Sequence, residues 1–245
     1  GLLVGGVYAL LAIGFSLLFG VGRILNLSHT SFYMLGGYFL YLFVTPLGFN
    51  YALSIILSIL IPVLIGMFVY KFCIDPVREH ETTVLMITVM LAMIFQQCMF
   101  LIFGGRYRGA PTLISGYLEL LGIRISYQHL LTLVVVLFLL LGVWVLLYRS
   151  RLGLAIRCVA QDREVANLMG IHVGGVCFIV TSIAVMLAAI SGVIVSPIFV
   201  LEPAMWLHPL LIVVAIVILG GLGSVKGSIA GAFILGFTET LVVFL

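Results

Sequence analysis

The chain has 245 residues, of which 64% are hydrophobic and only 8% are charged, and its mean hydropathy is +1.39. This composition excludes an ordinary water-soluble domain, and the net charge of +3 is too small to indicate a partner such as nucleic acid. The apolar runs reach about 20 residues, the length that a helix needs to cross a bilayer, and they lack the alternation of a transmembrane barrel. We therefore predict an all-α polytopic membrane protein.

Eight apolar segments follow one another along the chain, and each is predicted to form a transmembrane helix. They lie near residues 1–19, 31–47, 51–72, 83–103, 129–148, 174–198, 208–222 and 227–245. The sequence begins at Gly1 without a methionine and stops within an apolar run at Leu245. We expect a single transmembrane domain, residues 1–245, trimmed at both ends. The four cysteines indicate neither a disulfide framework nor a metal site.

The distribution of basic residues predicts the orientation of these helices. If the polar segment between residues 149 and 172 is cytoplasmic, alternation of the spans fixes the side of every other loop. The inner side then holds Arg23, Lys71, Arg78, Arg149, Arg151, Arg157, Arg163 and Lys226, and the outer side holds Arg106, Arg108 and Arg124. This bias follows the positive-inside rule. Both observed ends of the chain are then predicted to face outward.

The cytoplasmic segment "RSRLGLAIRCVAQDREVANLMGIH" is predicted to contain a short helix. Asp162 can cap its first turn, which also holds Glu164, and Gly170 suits the left-handed position that ends a helix. A helix of about two turns is unstable alone and must rest on another surface. The basic residues favour anionic lipid headgroups, whereas the acidic residues favour a docking site for a cytoplasmic protein. The sequence leaves both alternatives open.

Two further stretches interrupt apolar runs with glycine and polar residues. In "LFGVGRILNLSHTSFYMLGGY", Asn26 or Ser28 can cap a helix that begins close to the membrane. In "ILGGLGSVKGSIAGAFILGFTE", a ridge of small residues at four-residue spacing (Gly223, Gly227 and Gly231) allows close helix packing. Such helix ends can face a translocation path, or both stretches can be ordinary capped loops.

Glu239 lies inside an apolar span, where an ionisable group is costly unless it faces a partner or water. It is therefore a candidate for the translocation path, although a hydrogen-bonded structural role is an alternative. No catalytic constellation accompanies it, because the five histidines are scattered and no His-Glu-x-x-His motif occurs. The run "GGLGSVKGS" fails as a phosphate loop, since Val225 precedes the lysine and Gly227 follows it.

Three stretches resemble one protein family. "GGVYALLAIGFSLLFGVGRILNLSHTSFYMLGGY", "SRLGLAIRCVAQDREVANLMGI" and "LGGLGSVKGSIAGAFILGFTE" are similar to the opening, the cytoplasmic segment and the final region of LivH-type permeases of bacterial branched-chain amino acid ABC importers. The middle stretch is the most specific of the three. The chain departs from the family pattern at two places, Leu27 to Thr30 and Asp75 to Arg78.

The resemblance implies an all-helical permease that works as one of a pair of permease subunits. Its implied partners are two ABC ATPase subunits, a periplasmic solute-binding protein and the lipid of the bacterial inner membrane. ATP and Mg²⁺ would be bound by the ATPase subunits, and this chain would need no cofactor and would not be an enzyme itself. The resemblance assigns an ATPase-coupling role to Arg157, Ala160, Asp162, Arg163, Glu164, Ala166 and Gly170. Asn26, Ser28, His29 and Glu239 are the candidates for the translocation path.

We therefore expect a permease that carries a branched-chain or related amino acid inward by alternating access. The sequence leaves two alternatives open. One is an ABC permease for urea or short amides. The other is an ion-coupled secondary transporter with Glu239 as its coupling carboxylate.

Overall fold

The computed structural model describes residues 1–78, 80–112, 116–120 and 123–244, and within these ranges the chain is almost entirely helical. The helices are α1 (Leu2–Gly22), α2 (His29–Val44), α3 (Tyr51–Val69), α4 (Glu81–Phe103), α5 (Tyr127–Arg149), α6 (Arg151–Gln161), α7 (Arg163–Leu168), α8 (Val173–Val195), α9 (Leu207–Gly220) and α10 (Val225–Phe244). A π-helical turn, Tyr70–Ile74, and a 3₁₀ turn, Asp75–Val77, extend α3 toward the inner side.

The eight predicted spans coincide with α1, α2, α3, α4, α5, α8, α9 and α10, which confirms the all-helical membrane fold. Among the described residues, six helical segments are long and apolar enough to cross a membrane by themselves. The other two are shorter, since α2 has 16 residues and α9 has 14. Helix α2 is covered mostly by protein, whereas α9 packs on α1 and α10 through one face and exposes Leu211, Ile218 and Leu219.

Two elements were not predicted. The outer loop contains a small antiparallel hairpin, β1 (Tyr117–Leu120) and β2 (Ile123–Ser126), in which Tyr117 pairs with Ser126. The hairpin is confined to this loop, whose residues 113–115 and 121–122 lie outside the described ranges, and the all-α fold class holds. On the opposite side of the membrane, α6 forms an amphipathic helix that buries Ile156 and Val159 against the bundle.

Helix α1 lies at the centre of the bundle. It packs against α5, α8, α9 and α10. Of its most hydrophobic 18-residue stretch, 78% is buried, compared with 17% of the corresponding stretch of α4. A helix that is hydrophobic on every side is stable where protein or lipid covers every side, and protein covers α1. The peripheral helices instead expose large apolar side chains, such as Leu101 at 75% and Phe138 at 72%. These exposed faces suit hydrocarbon, and the chain is a multi-pass membrane protein.

The predicted glycine ridge on α10 is a site of close helix contact. A Cβ added to Gly227 would overlap the backbone of Gly220 on α9, and one added to Gly231 would come within 3.0 Å of the carbonyl oxygen of Ile216. Gly223, which precedes α10 with φ +83°, lies against the backbone of Gly20 at the inner end of α1. The ridge therefore joins α10 to both α9 and α1.

This contact predicts a selective effect of adding one methyl group. We expect Gly227→Ala to destabilise the protein by about 1–3 kcal/mol, because the rigid backbone of α9 must move to admit the new atom. Gly142→Ala on α5 is the matched control, since a Cβ added there meets nothing within 4 Å. Thermal unfolding in detergent should show a lower Tm for Gly227→Ala and an equal or higher Tm for Gly142→Ala. Equal Tm values for both variants and the wild type would contradict the close packing.

Candidate functional site

A cavity of about 480 Å³ opens beside the central helix, between α1, α2, α10 and the segment that joins α8 to α9. Four helix ends border it: the start of α1, the end of α8, the start of α9 and the end of α10. The orientation predicted from the basic residues puts these ends on the outer side. Its walls are mostly apolar, with Val4, Val7, Val195, Met205 and Val243 among the lining residues. Its polar groups belong to Tyr8, Tyr33, Glu202, His208, Glu239 and Thr240. An apolar pocket with a few polar groups is the usual form of a small-molecule site.

Glu239 is the polar centre of this outer cavity. Its Oε1 accepts a hydrogen bond of 3.2 Å from the hydroxyl of Tyr8, and the Nε2 atom of His208 lies 3.9 Å from the same oxygen. Its Oε2 is buried and has no hydrogen-bond partner among the described residues, although the side chain as a whole is 34% exposed. A buried carboxyl oxygen that lacks a donor has strong capacity to accept one from a bound solute or from water.

The other three path candidates lie elsewhere. Asn26, Ser28 and His29 are buried at the start of α2, and none of them lines the outer cavity. The Oδ1 of Asn26 accepts hydrogen bonds from the backbone nitrogen of Ser28, at 3.1 Å, and from its hydroxyl, at 2.6 Å. Of the two residues predicted to cap α2, Ser28 occupies the N-cap position but makes no capping bond with its side chain, whereas Asn26 accepts the bond from the backbone nitrogen of Ser28.

His29 is fully buried against α1. A ring nitrogen, Nε2, lies 3.2 Å from the carbonyl oxygen of Leu11, and the ring of Phe15 contacts it edge-on with 6.1 Å between the centroids. Its Nδ1 has no partner among the described residues. The structure therefore does not bring the four path candidates together, and a role for Asn26, Ser28 and His29 in translocation stays a prediction.

Sequence analysis missed the other polar residues of the cavity. Tyr8 is separated from Glu239 by 231 positions, and His208 follows a loop with no recognisable motif. Tyrosine near the end of an apolar helix is common at membrane interfaces, so Tyr8 gave no distinguishing signal. The described residues contain no group of three histidine, cysteine, aspartate or glutamate side chains that could hold a metal ion.

On the inner side, α7 has the ends that the sequence predicts. The carboxylate of Asp162 accepts hydrogen bonds from the backbone nitrogens of Glu164, at 2.9 Å, and Val165, at 3.1 Å. Gly170 has φ +84°, and the helix closes through bonds from the nitrogens of Gly170 and Ile171 to carbonyl oxygens of the last turn. These are the two bonds of a Schellman motif. The short helix is thus held at both ends by specific residues.

The two sides of α7 differ sharply in their solvent exposure. Ala166 is buried against the bundle, whereas Leu168 is 85% exposed and Met169 is 78% exposed. The apolar residues of this helix are thus divided, with Ala166 inward and Val165 and Met169 outward. The exposed surface that we call the α7 tip consists of Asp162, Glu164, Val165, Leu168 and Met169.

The remaining coupling candidates flank the tip. Ala160 is exposed near the end of α6. The Nε of Arg157 donates to the carbonyl oxygen of Gly153, and its guanidinium lies 5.3 Å from the centre of the Tyr148 ring. Arg163 turns away from the tip, toward the inner end of α1. The structure places the seven candidates on one segment but on different sides of it.

The chain is thus a multi-pass helical bundle with a mostly apolar cavity on one side, which carries a few polar groups, and a doubly capped helix on the other. The family described as "Branched-chain amino acid transport system / permease component" matches residues 1–245, and the chain belongs to that family. This confirms the resemblance found in the sequence.

Individual relatives of the chain support this family assignment. The chain is 29% identical to the high-affinity branched-chain amino acid transport system permease protein BraD of Pseudomonas aeruginosa, over 98% of this chain and 83% of that protein. It is 27% identical to the LivH permease protein of Escherichia coli K12 with the same coverage. A shorter match, 33% over 40% of this chain and 32% of the relative, is to the ribose import permease protein RbsC of E. coli K12. No solved structure matches the chain.

The geometry of the cavity predicts that Glu239 and Tyr8 affect transport to different extents. Glu239→Gln should lower uptake about tenfold or more, because an interaction with a charged group contributes about 1.5–3 kcal/mol. Tyr8→Phe should have a smaller effect, since it removes one donor and keeps the carboxyl. Thr238→Val is the matched control, because that hydroxyl is exposed and, among the described residues, bonds only to Ile234 of its own helix.

Initial uptake rates in membrane vesicles, at equal amounts of protein, test this order. Wild-type rates for both Glu239→Gln and Tyr8→Phe would place the cavity outside the transport path.

Proposed function

We propose that this chain is the membrane-spanning permease subunit of an ABC importer that moves a branched-chain or related amino acid into the cytoplasm by alternating access. The observation that carries this proposal is the α7 tip, a rigidly capped helix whose apolar residues are exposed on the inner side. Membership of the permease family supports it over the whole chain.

The exposed residues of the tip favour a protein partner over lipid. A helix that rests on anionic headgroups presents mainly basic residues, whereas this surface presents Asp162 and Glu164 together with apolar side chains. Leu168 and Met169 project from the end of the helix, where a pocket on another protein can enclose them. We propose that this pocket belongs to an ABC ATPase subunit.

The outer cavity supports an amino acid as the solute. The described lining residues include two carboxyls, two tyrosine hydroxyls, an imidazole and a threonine hydroxyl, and no lysine or arginine. Carboxyls suit an ammonium group, hydroxyl donors suit a carboxylate, and the valine and methionine walls suit an aliphatic side chain. A sugar or urea would leave much of the apolar wall without a matching group. This favours an amino acid over the short amides that the sequence left open.

The proposed assembly contains a second permease subunit, two ATPase subunits and a periplasmic solute-binding protein in the bacterial inner membrane. ATP and Mg²⁺ bind to the ATPase subunits, and hydrolysis there drives the permease pair between outward and inward conformations. The relatives named above are transport system permease proteins, which supports a role in transport without catalysis by this chain.

Reconstitution tests the proposal directly. The complete complex in proteoliposomes should take up labelled leucine, isoleucine or valine only when ATP and the loaded binding protein are both present. The purified chain alone should not hydrolyse ATP. Uptake that persists without the ATPase but collapses with the proton gradient would instead support an ion-coupled transporter.

Substitutions at the two ends of α7 test the docking role. Asp162→Lys removes a cap worth about 1 kcal/mol and reverses a charge, and Gly170→Val forces a branched residue into the left-handed region at a cost of about 1–2 kcal/mol. Both variants should reach the membrane yet lose uptake and bind less ATPase in copurification. Asp162→Asn and Gly170→Asn are matched controls, because asparagine both caps helices and tolerates positive φ. Normal uptake and copurification in Asp162→Lys and Gly170→Val would exclude this helix as the docking element.

A further inference from the structure

The first residue of α7 is bound to the inner end of the central helix. The guanidinium of Arg163 donates two hydrogen bonds to the carbonyl oxygen of Val21, from Nε at 3.0 Å and from Nη2 at 2.6 Å. The two residues are 142 positions apart in the sequence. A guanidinium that uses two of its donors on one acceptor fixes both the distance and the orientation between the two helices.

The acceptor at Val21 belongs to the last turn of α1, where carbonyl groups have no partner within the helix. This end of a helix also carries the negative part of the helix dipole, so a cation is favourable there. Val21 is 1% exposed, and water therefore competes little with the guanidinium. The thiol of Cys177 on α8 also points at this oxygen, at 3.9 Å, but it is a weak donor.

Helix α1 ends abruptly at Gly22, one residue after Val21. Arg23 has φ 48°, the positive φ of a non-glycine residue, and its nitrogen bonds to the carbonyl oxygen of Phe19. A residue in this region is disfavoured unless its surroundings hold it, and such residues concentrate at functional positions. Three features therefore lie together at the inner end of α1: its last turn, the left-handed residue Arg23 and the contact with Arg163.

The other part of α1 reaches the outer cavity. Tyr8, which binds Glu239, lies thirteen residues before Val21, or about 20 Å along the axis at ~1.5 Å per residue. A helix that is covered on every side moves as a rigid body, because its hydrogen bonds and packing resist bending. A displacement of α1 at Val21 therefore also displaces Tyr8.

We infer that Arg163 is a positioning residue that couples α7 to α1, so that movement of the docked helix shifts Tyr8 relative to Glu239 in the outer cavity. This inference rests on the proposed function, since it requires an ATPase at the α7 tip. It assigns to Arg163 a role distinct from docking, because its guanidinium faces the bundle and the tip residues face outward.

Arg163→Gln and Arg163→Lys test the inference in the complete complex. Both variants lose the two-donor contact with Val21, and lysine keeps the positive charge. We expect the ATPase to copurify with both, while stimulation of hydrolysis by the loaded binding protein and uptake each fall about tenfold in Arg163→Gln, the size expected for loss of a charge-assisted contact. Arg163→Lys should recover only part of this loss.

Arg151→Gln is the matched control. Arg151 lies on the same segment, is exposed, and makes no hydrogen bond or ion pair through its side chain with any residue that the structure describes. If Arg163→Gln matches Arg151→Gln in stimulation and uptake, the inference is wrong. If the wild-type complex itself shows no ATP-dependent uptake, the proposed function is wrong, and the two failures are thus distinguishable.

A distance measurement keeps the inference testable even if Arg163→Gln does not fold. Spin labels at Arg23 and Asn167, in a background with the four native cysteines replaced by serine, report the separation of the inner end of α1 from α7. With Arg163 intact, this separation should stay constant between the nucleotide-free and ATP-bound complexes, while each label moves relative to a third position on α4. A separation that changes through the cycle would show that the two helices move independently and would overturn the coupling role.

Discussion

The burial of α1 on all sides is the constraint on which the rest of the structure depends. Inside a bilayer no hydrophobic force draws one apolar helix to another, so a central helix is held by close packing. The neighbours of α1 approach it across glycine, with Gly236 of α10 against Gly5 and Gly223 against Gly20. The same close contact continues from α10 to α9 at Gly227. These contacts bring the three helices close together, and their relative positions set the shape of the outer cavity.

One polar contact between helices lies at each end of α1. At the outer end, Glu239 meets Tyr8 beside a cavity that water can enter, and at the inner end Arg163 meets the terminal carbonyl of Val21. Both contacts satisfy groups that hydrocarbon could not. Between them α1 presents only apolar and small side chains to most of its neighbours, so few directional bonds resist a shift of one helix along another.

The sequence predicts the parts of the structure that depend on local chemistry. The spans follow from hydropathy, because lipid selects long apolar helices, and the ends of α7 follow from the backbone preferences of Asp162 and Gly170. Helix α6 was missed because its apolar residues cover a narrow stripe within a charged segment. The contacts of Tyr8 with Glu239 and of Arg163 with Val21 join residues 231 and 142 positions apart, and neither residue type carries a sign of its partner. Tertiary packing alone brings them together.

A single helix between the two polar ends also explains how sites on opposite sides of a membrane can communicate here. Charge interactions cannot be relayed through the apolar middle of the bundle, because each intermediate polar group would need its own partner in hydrocarbon. A rigid helix needs no such groups, since its backbone bonds are internal and each turn transmits force to the next. The cost is that the helix must be anchored firmly where force enters it. Arg163 provides that attachment at Val21, and at the other end Tyr8 is the group that moves against Glu239.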